Sequence, residues 1–352
     1  MSLPKTVPRI ARTARFARFH AGRQDTSCRR FATAVGDHVS IVEVGPRDGL
    51  QNEKNTISLE TKTSLIERLA KTGLSTIEAG AFVSPKWIPQ MANSDQVLQH
   101  LLEPHDLPKH IKYQFLVPNS KGLESFLALY EKQAPKDHEP MEVSIFTAAT
   151  ESFAQKNTNC SIAESLTRFE PVFSTAKAHN IRVRAYISVA LGCPYEGPDV
   201  DPKVVADLAV DLLQLGAEQI SIGDTTGMGT APKTRILLKT LAAAGVEMQD
   251  VALHLHDTYG QALVNAVVGA EAGVRVFDAS VAGLGGCPYS PGATGNVPTE
   301  DMVYLFETLG LSTGVDLPAL AEVGEWISRE TGRSNESRVG KGTLARARRK
   351  QN

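Results

Sequence analysis

With 352 residues, 42% of them hydrophobic and 22% charged, the chain carries enough apolar mass for one large α/β domain. No apolar run reaches the ~18 residues that cross a bilayer. Four cysteines (Cys28, Cys160, Cys193, Cys287) without a CxxC pair argue against a zinc ribbon or a disulfide framework and fit reduced thiols inside a cell. The net charge of −2 hides an asymmetry: residues 1–30 hold Lys5 and seven arginines (Arg9, Arg12, Arg15, Arg18, Arg23, Arg29, Arg30) against the single acid Asp25, so +7 sits there and −9 on the remainder.

An arginine-rich, acid-poor N-terminus with Ile10, Phe16 and Phe19 interleaved reads as a mitochondrial transit peptide over 1–31. Arg29-Arg30-Phe31-Ala32 resembles a matrix-protease cleavage site, with an arginine three residues before the cut. The rival is a disordered basic arm that binds nucleic acid. No nucleic-acid-binding motif follows, and the body is acidic, so no nucleic-acid partner is expected.

From residue 38 onward, apolar β-type runs alternate with helical patterns. The expected strands are 38–45, 75–81, 113–118, 141–148, 181–189, 219–224, 250–257 and 275–283, with helices over 58–72, 121–132, 161–180, 202–215, 232–244 and 260–273 between them. Such alternation implies a parallel sheet covered on both faces, and eight units predict a (β/α)8 TIM barrel, with an open doubly wound sheet as the alternative. Residues 133–140 (QAPKDHEP) read as a solvated insertion, 299–330 as extra C-terminal helices completing a catalytic domain over 32–330, and 331–352 as a basic tail.

Polar residues gather at the expected C-terminal strand ends, where barrel enzymes place their chemistry. Arg47 and Asp48 follow strand one, Glu78 lies in strand two, Asn119 follows strand three, Tyr186 is on strand five and Asp224 ends strand six. His254 and His256 lie on strand seven, and Cys287 and Asn296 follow strand eight. The i, i+2 spacing of the histidines puts both imidazoles on one face of a strand. A lone HxH is ordinarily a solvated or core pair. In a closed barrel, however, strands one, seven and eight are neighbours, so Asp48 and Asn296 can add oxygen ligands. A mixed N/O set suits Mg²⁺ or Mn²⁺ better than zinc.

Arg47, in the turn GPRDG, is either a structural ion pair or a fixed cation placed where charge develops on an oxygen. Glu78 and Asp224 are candidate proton carriers or supports, and Asp224 can equally cap the DTTG turn. Cys287 sits in SVAGLGGCPYSPGATGN (280–296) among Gly283, Gly285, Gly286, Gly292 and Gly295. That glycine density marks backbone that must bend or move, or else an ordinary surface loop. The thiol has no basic neighbour in sequence, which suits proton donation better than nucleophilic attack.

Taken together, VEVGPRDGLQNEK (42–54), FVSPKWIPQM (82–91), ALGCPYEG (190–197), HDTYGQAL (256–263) and the Cys287 loop resemble the 3-hydroxy-3-methylglutaryl-CoA lyase family, in order, from about 38 to about 330. The resemblance implies a metal-dependent TIM barrel that cleaves its acyl-CoA substrate to acetyl-CoA and acetoacetate, in leucine degradation and ketone-body formation. It implies metal ligands Asp48, His254, His256 and Asn296, substrate contacts Arg47, Gln51 and Tyr186, and catalytic roles for Arg47, Cys287, Glu78 and Asp224. A homodimer in the mitochondrial matrix, without membrane attachment, is the expected state. The chain departs from the family pattern at Ala81, where relatives carry serine, in lacking a cysteine after Cys287, and in ending on RKQN rather than a peroxisomal signal. A lyase for a related 3-hydroxyacyl-CoA, a condensing relative of the isopropylmalate or homocitrate synthase type, and a barrel retained only for binding are the rival readings. Neither GxGxxG nor a Walker loop is present, which leaves Lys54 and Lys86 as candidates for holding the nucleotide of CoA.

Overall fold

The computed structural model describes residues 37–103, 107–134, 141–286 and 295–351. Residues 1–31, most of the 133–140 insertion and Cys287 lie outside the described residues. The strands are β1 (Ser40–Glu43), β2 (Thr76–Ala81), β3 (Lys112–Leu116), β4 (Glu142–Ala148), β5 (Arg182–Ser188), β6 (Gln219–Asp224), β7 (Val251–Leu255) and β8 (Val276–Ala279). Each pairs in parallel with the next, and β1 closes on β8 with Ser40 beside Val276 and Glu43 beside Ala279. The fold is therefore the expected (β/α)8 barrel, and closure excludes the open sheet.

Burial dictates the strands: β2 and β7 are buried at every position, as parallel strands covered on both sides must be. The helices are α1 (Leu59–Ala70), α2 (Ser94–Leu102), α3 (Ser120–Gln133), α4 (Glu151–Thr158), α5 (Ile162–Ala178), α6 (Pro202–Leu215), α7 (Ala231–Ala243) and α8 (Ala262–Ala272). Local chemistry sets their ends. Ser161 and Glu164 form a reciprocal cap on α5, and Asp201 caps α6 ahead of Pro202. Asn119, which the sequence placed among the polar mouth residues, accepts the Gly122 N–H at 3.1 Å and so starts α3.

Beyond the barrel come α9 (Thr299–Thr308), α10 (Leu317–Thr331) and α11 (Arg338–Gln351). The stretch read as a basic tail thus contains a helix, which packs on α10 and α9. Asp301 of α9 caps it, taking the Ser337 hydroxyl at 2.6 Å and the Val339 N–H at 2.9 Å. No helix among the described residues is long and apolar enough to cross a membrane.

A candidate metal centre at the C-terminal mouth

The chain leaves β1 into a single wide helical turn, Gly45–Gly49, in which the N–H groups of Arg47, Asp48 and Gly49 converge on the Val44 carbonyl at 3.2, 2.8 and 3.1 Å. That turn fixes Arg47 and Asp48 over the barrel. Opposite, residues 295–297 run beside the end of β7: Asp257 N–H bonds the Gly295 carbonyl, Val297 N–H bonds the Leu255 carbonyl, and Asn296 lies directly across from His256. The approach is close enough to require glycine. A Cβ on Gly285, at φ +126°, would lie 2.7 Å from Asn296 Nδ2, and one on Gly295 would lie 2.6 Å from the Gly285 carbonyl carbon.

Asp48, His254 and His256 offer ligand atoms that all lie within 4.8 Å of one another. The two imidazoles face each other, Nε2 to Nε2, at 3.3 Å, and His254 Nε2 stands 3.7 Å from Asp48 Oδ2. Asn296 Nδ2 donates to Asp48 Oδ2 at 2.8 Å, and Gln51 Nε2 donates to Asp48 Oδ1 at 2.7 Å. Burial works against the Asp48 charge, but Arg47 and both histidines outweigh it and hold the carboxyl down at about 2. Burial, reinforced by His254, pushes His256 down to about 4, so this imidazole is neutral near pH 7. One ionised carboxylate and facing imidazole lone pairs are a donor set for a divalent cation. Two buried atoms that lack a hydrogen-bond partner, Asn296 Oδ1 and His256 Nδ1, belong to the same residues. The cluster fits an ion.

Beside it, Glu78 Oε2 receives Arg47 Nε at 2.8 Å and Nη2 at 2.6 Å, while Arg47 Nη1 reaches Asp48 Oδ1 at 2.8 Å. Tyr186 donates to the same Glu78 oxygen at 3.1 Å, and Ser144 to the other at 2.7 Å. With donors on both oxygens, Glu78 is built to hold Arg47. Burial disfavours the Arg47 charge, but the carboxylates of Glu78 and Asp48 more than compensate and raise it further above its ordinary range. Burial likewise carries Tyr186 well above the usual phenol value, so its hydroxyl stays protonated.

Asp224 ends β6 fully buried, accepts the Gly229 N–H at 3.0 Å and leaves Oδ1 without a partner. Burial lifts it to about 7 against the opposing backbone bonds. Its Oδ2 thus closes the turn after β6, and its Oδ1 is left free of hydrogen bonds. Lys54 and Lys86 are exposed on the loops after β1 and β2. A cavity of about 370 Å³ lined by Lys177, Asn180, Arg182 and Glu218 lies at the opposite end of the barrel, at the starts of β5 and β6, and shares no residue with the cluster.

Four groups that shape the site escaped the sequence reading: Glu43, Arg184, Asp278 and Glu300. Glu43 accepts N–H bonds from Gly45 at 2.8 Å and Val281 at 2.9 Å and the Thr299 hydroxyl at 2.7 Å, tying the loop after β1 to the loop after β8. Glu300 holds the N–H of Ala282, whose backbone is left-handed at φ 57°. The available signal was parity. Each of Glu43, Arg184 and Asp278 is a charge set inside an apolar strand, and such a charge is kept only where a partner waits.

The closed barrel and the carboxylate–imidazole cluster at its mouth, with an arginine fixed alongside, define a TIM-barrel enzyme with a site able to hold a metal ion. The family model described as HMGL-like matches residues 38–327. A 3-hydroxy-3-isohexenylglutaryl-CoA/hydroxy-methylglutaryl-CoA lyase of Pseudomonas aeruginosa is 50% identical over 309 residues, covering 88% of this chain and 98% of that one. The mitochondrial hydroxymethylglutaryl-CoA lyase of Homo sapiens is 47% identical over 305 residues, covering 87% and 89%. The crystal structure of hydroxymethylglutaryl-CoA lyase from Pseudomonas aeruginosa superposes with a TM-score of 0.80 at 49% identity, covering 88% of this chain and 98% of that one. The chain belongs to the HMGL-like family and is a carbon–carbon lyase.

Proposed function

We propose that the chain cleaves 3-hydroxy-3-methylglutaryl-CoA to acetyl-CoA and acetoacetate. The observation that carries this reading is the union, at one barrel mouth, of a three-residue ligand set with an arginine whose guanidinium is held by two carboxylates. Relatives at 47–50% identity carry this activity in their names. Asp48, His254, His256 and Asn296 would hold Mg²⁺ or Mn²⁺, which when bound supplies Lewis acidity and orientation for substrate oxygens.

The rest follows from side chains. The 3-hydroxyl proton leaves to a base, the bond between carbons 2 and 3 breaks, and its electron pair passes into the thioester as an enolate. Asp224, lifted to about 7, can take a proton at neutral pH, the condition an efficient general base needs. Arg47, locked by Glu78, presents a cation to the enolate oxygen without having to reorganise. Cys287 then returns a proton to carbon 2. Gln51 and Tyr186 complete the substrate contacts, Gln51 from beside Asp48 and Tyr186 from beside Arg47.

Relatives include both bacterial and mitochondrial proteins. The arginine-rich residues 1–31 favour the mitochondrial matrix, and we assign the active form as a homodimer. Ala81 is buried at the end of β2, and a related 3-hydroxyacyl-CoA thioester is the second reading of the substrate.

The test is turnover of purified protein on a panel of 3-hydroxyacyl-CoA thioesters and, in the reverse sense, on acetyl-CoA with 2-oxo acids. Acetoacetate should appear from the 3-hydroxy-3-methylglutaryl thioester, vanish in excess chelator and return with Mg²⁺ or Mn²⁺. Condensation without cleavage, or full activity in chelator, would overturn the reading.

A further inference from the structure

A carboxylate beneath the candidate ligands has no assigned role. Asp278, on β8 and 1% exposed, receives Arg184 Nη2 at 2.5 Å and the Ser221 hydroxyl at 2.9 Å, and its Oδ2 lies 3.2 Å from His254 Nδ1. Arg184 and Ser221 enter from β5 and β6, both buried, so the carboxylate is gripped from two other strands. Register explains the reach: His254 pairs with Asp278 across β7 and β8, which turns both side chains to the same face of the sheet.

We infer that Asp278, clamped by Arg184 and Ser221, is a positioning residue for metal binding: it takes the Nδ1–H of His254 and so points the Nε2 lone pair at Asp48 and His256. The chemistry leaves little alternative. An ionised carboxylate only accepts hydrogen bonds, so the nitrogen that faces it must carry the hydrogen, and the other ring nitrogen then carries the lone pair. Nε2 is the nitrogen 3.7 Å from Asp48 Oδ2 and 3.3 Å from His256 Nε2. Without the carboxylate, the imidazole could equally place its hydrogen on Nε2, where it would repel a cation.

The same residue joins the two halves of the site. Arg184 Nη1 lies 3.4 Å from the Tyr186 hydroxyl, Tyr186 donates to Glu78, Glu78 holds Arg47, and Arg47 reaches Asp48. A closed circuit of polar contacts therefore runs from His254 through Asp278 and Arg184 to Asp48. Displacing Asp278 should disturb the cluster on both sides.

The inference rests on the reading that Asp48, His254, His256 and Asn296 hold a divalent ion, and the experiment separates the two. Mn²⁺ binding to the intact protein is measured by calorimetry, well below the unfolding temperature, for wild type, Asp278→Asn and Ser221→Ala. Wild type should bind one Mn²⁺ per chain. Asp278→Asn should bind it about 10–100-fold more weakly, the usual consequence of removing a carboxylate that orients a metal-bound histidine. Ser221→Ala, which loosens the clamp but keeps the carboxylate, should show a smaller loss in the same direction. Long-range ¹H–¹⁵N spectra of the metal-free protein should show His254 hydrogen on Nδ1 in wild type and a tautomer mixture in Asp278→Asn. Absence of Mn²⁺ binding to wild type would sink the metal reading itself. Wild-type binding with unchanged affinity and tautomer in both variants would overturn the role of Asp278 alone. If Asp278→Asn fails to fold, Ser221→Ala decides: weaker Mn²⁺ binding supports the inference, and unchanged binding with a single His254 tautomer refutes it.

Discussion

Arg47 and Glu78 meet through two nitrogens on one oxygen: Nε at 2.8 Å and Nη2 at 2.6 Å from Glu78 Oε2, with both side chains buried. The contact spends one edge of the guanidinium on orientation and leaves Nη1 on the side of Asp48. An ammonium cannot reproduce that division, because it lacks the planar fork.

Arg47→Lys should accordingly keep the charge and lose the geometry. Turnover is expected to fall roughly 10²–10³-fold, the scale of one lost donor to a developing oxyanion. Mn²⁺ affinity should change little, since Arg47 is not among the ligands. Cys287→Ser, a much poorer acid of similar size, should also lower kcat sharply with a smaller change in KM, placing its defect in a chemical step. Steady-state kinetics with calorimetric metal titration checks both. Near-normal turnover with only a lowered Tm would reduce Arg47 to a structural ion pair.

The architecture was legible because its signals are local. Strand–helix alternation predicted eight strands, all eight are present, and the boundaries differ by only a few residues: 275–283 shortens to Val276–Ala279 because the chain turns at Ala282. The HxH spacing and the GPRDG turn likewise marked the mouth, since side chains two apart on a strand share a face. What could not be read were contacts that only barrel closure creates. Arg184 and Asp278 are 94 residues apart and meet across the interior. The α11 helix was obscured for a different reason, in that its charge dominates its composition although Gly340 and the preceding Ser337 are buried against the barrel extension.

Glu43 and Glu300 make stability depend on pH in an unusual direction. Burial, with Glu43 and Asp301 nearby, lifts Glu300 from 4.5 to about 8, and burial lifts Glu43 to about 7 against its three donors. Between pH 4.5 and 8 the folded chain keeps the Glu300 proton that the unfolded chain has released. The unfolded state then binds fewer protons, so this group's contribution to stability falls as pH rises through that window and levels off above it. Glu300→Gln removes the titration while keeping an acceptor for the Ala282 N–H. Urea unfolding at pH 6 and pH 8.5 should show the wild type losing about 1–3 kcal/mol more than the variant over that interval. Equal losses would mean that Glu300 titrates normally.

Gly45 tests the Glu43 hub sterically. A Cβ there would lie 2.5 Å from Glu43 Oε1 and 3.2 Å from Ser280 Oγ. The carboxylate cannot swing away cheaply, because Gly45, Val281 and Thr299 all hold it. Gly45→Ala should cost roughly 1–3 kcal/mol of stability, as overpacking does, and should lower kcat by shifting the turn that carries Arg47 and Asp48. Gly342→Ala is the control: nothing lies within 4 Å of its added methyl, and it sits in α11, where alanine favours the helix by up to about 1 kcal/mol. Thermal melts and turnover of the two variants should therefore move in opposite directions from wild type in stability, with activity lost only in Gly45→Ala.

The basic leader makes the last prediction. Residues 1–30 hold seven arginines and one lysine against one acid, and β1 begins beyond them at Ser40. The residues that reach back toward the β1 start are Ser312, bonded to the Val39 N–H, and Arg275, paired with Asp37. All of these survive removal of 1–31. A chain starting at Ala32 should melt within a degree or two of the full chain and turn over at the same rate. In cells, protein recovered from mitochondria should begin at or near Ala32, as N-terminal sequencing would show, and fusion of residues 1–31 to a fluorescent reporter should carry it to mitochondria. A reporter that stays in the cytosol, with native protein still beginning at Met1, would leave the arginines without a targeting role and return the charge asymmetry to an open basic arm.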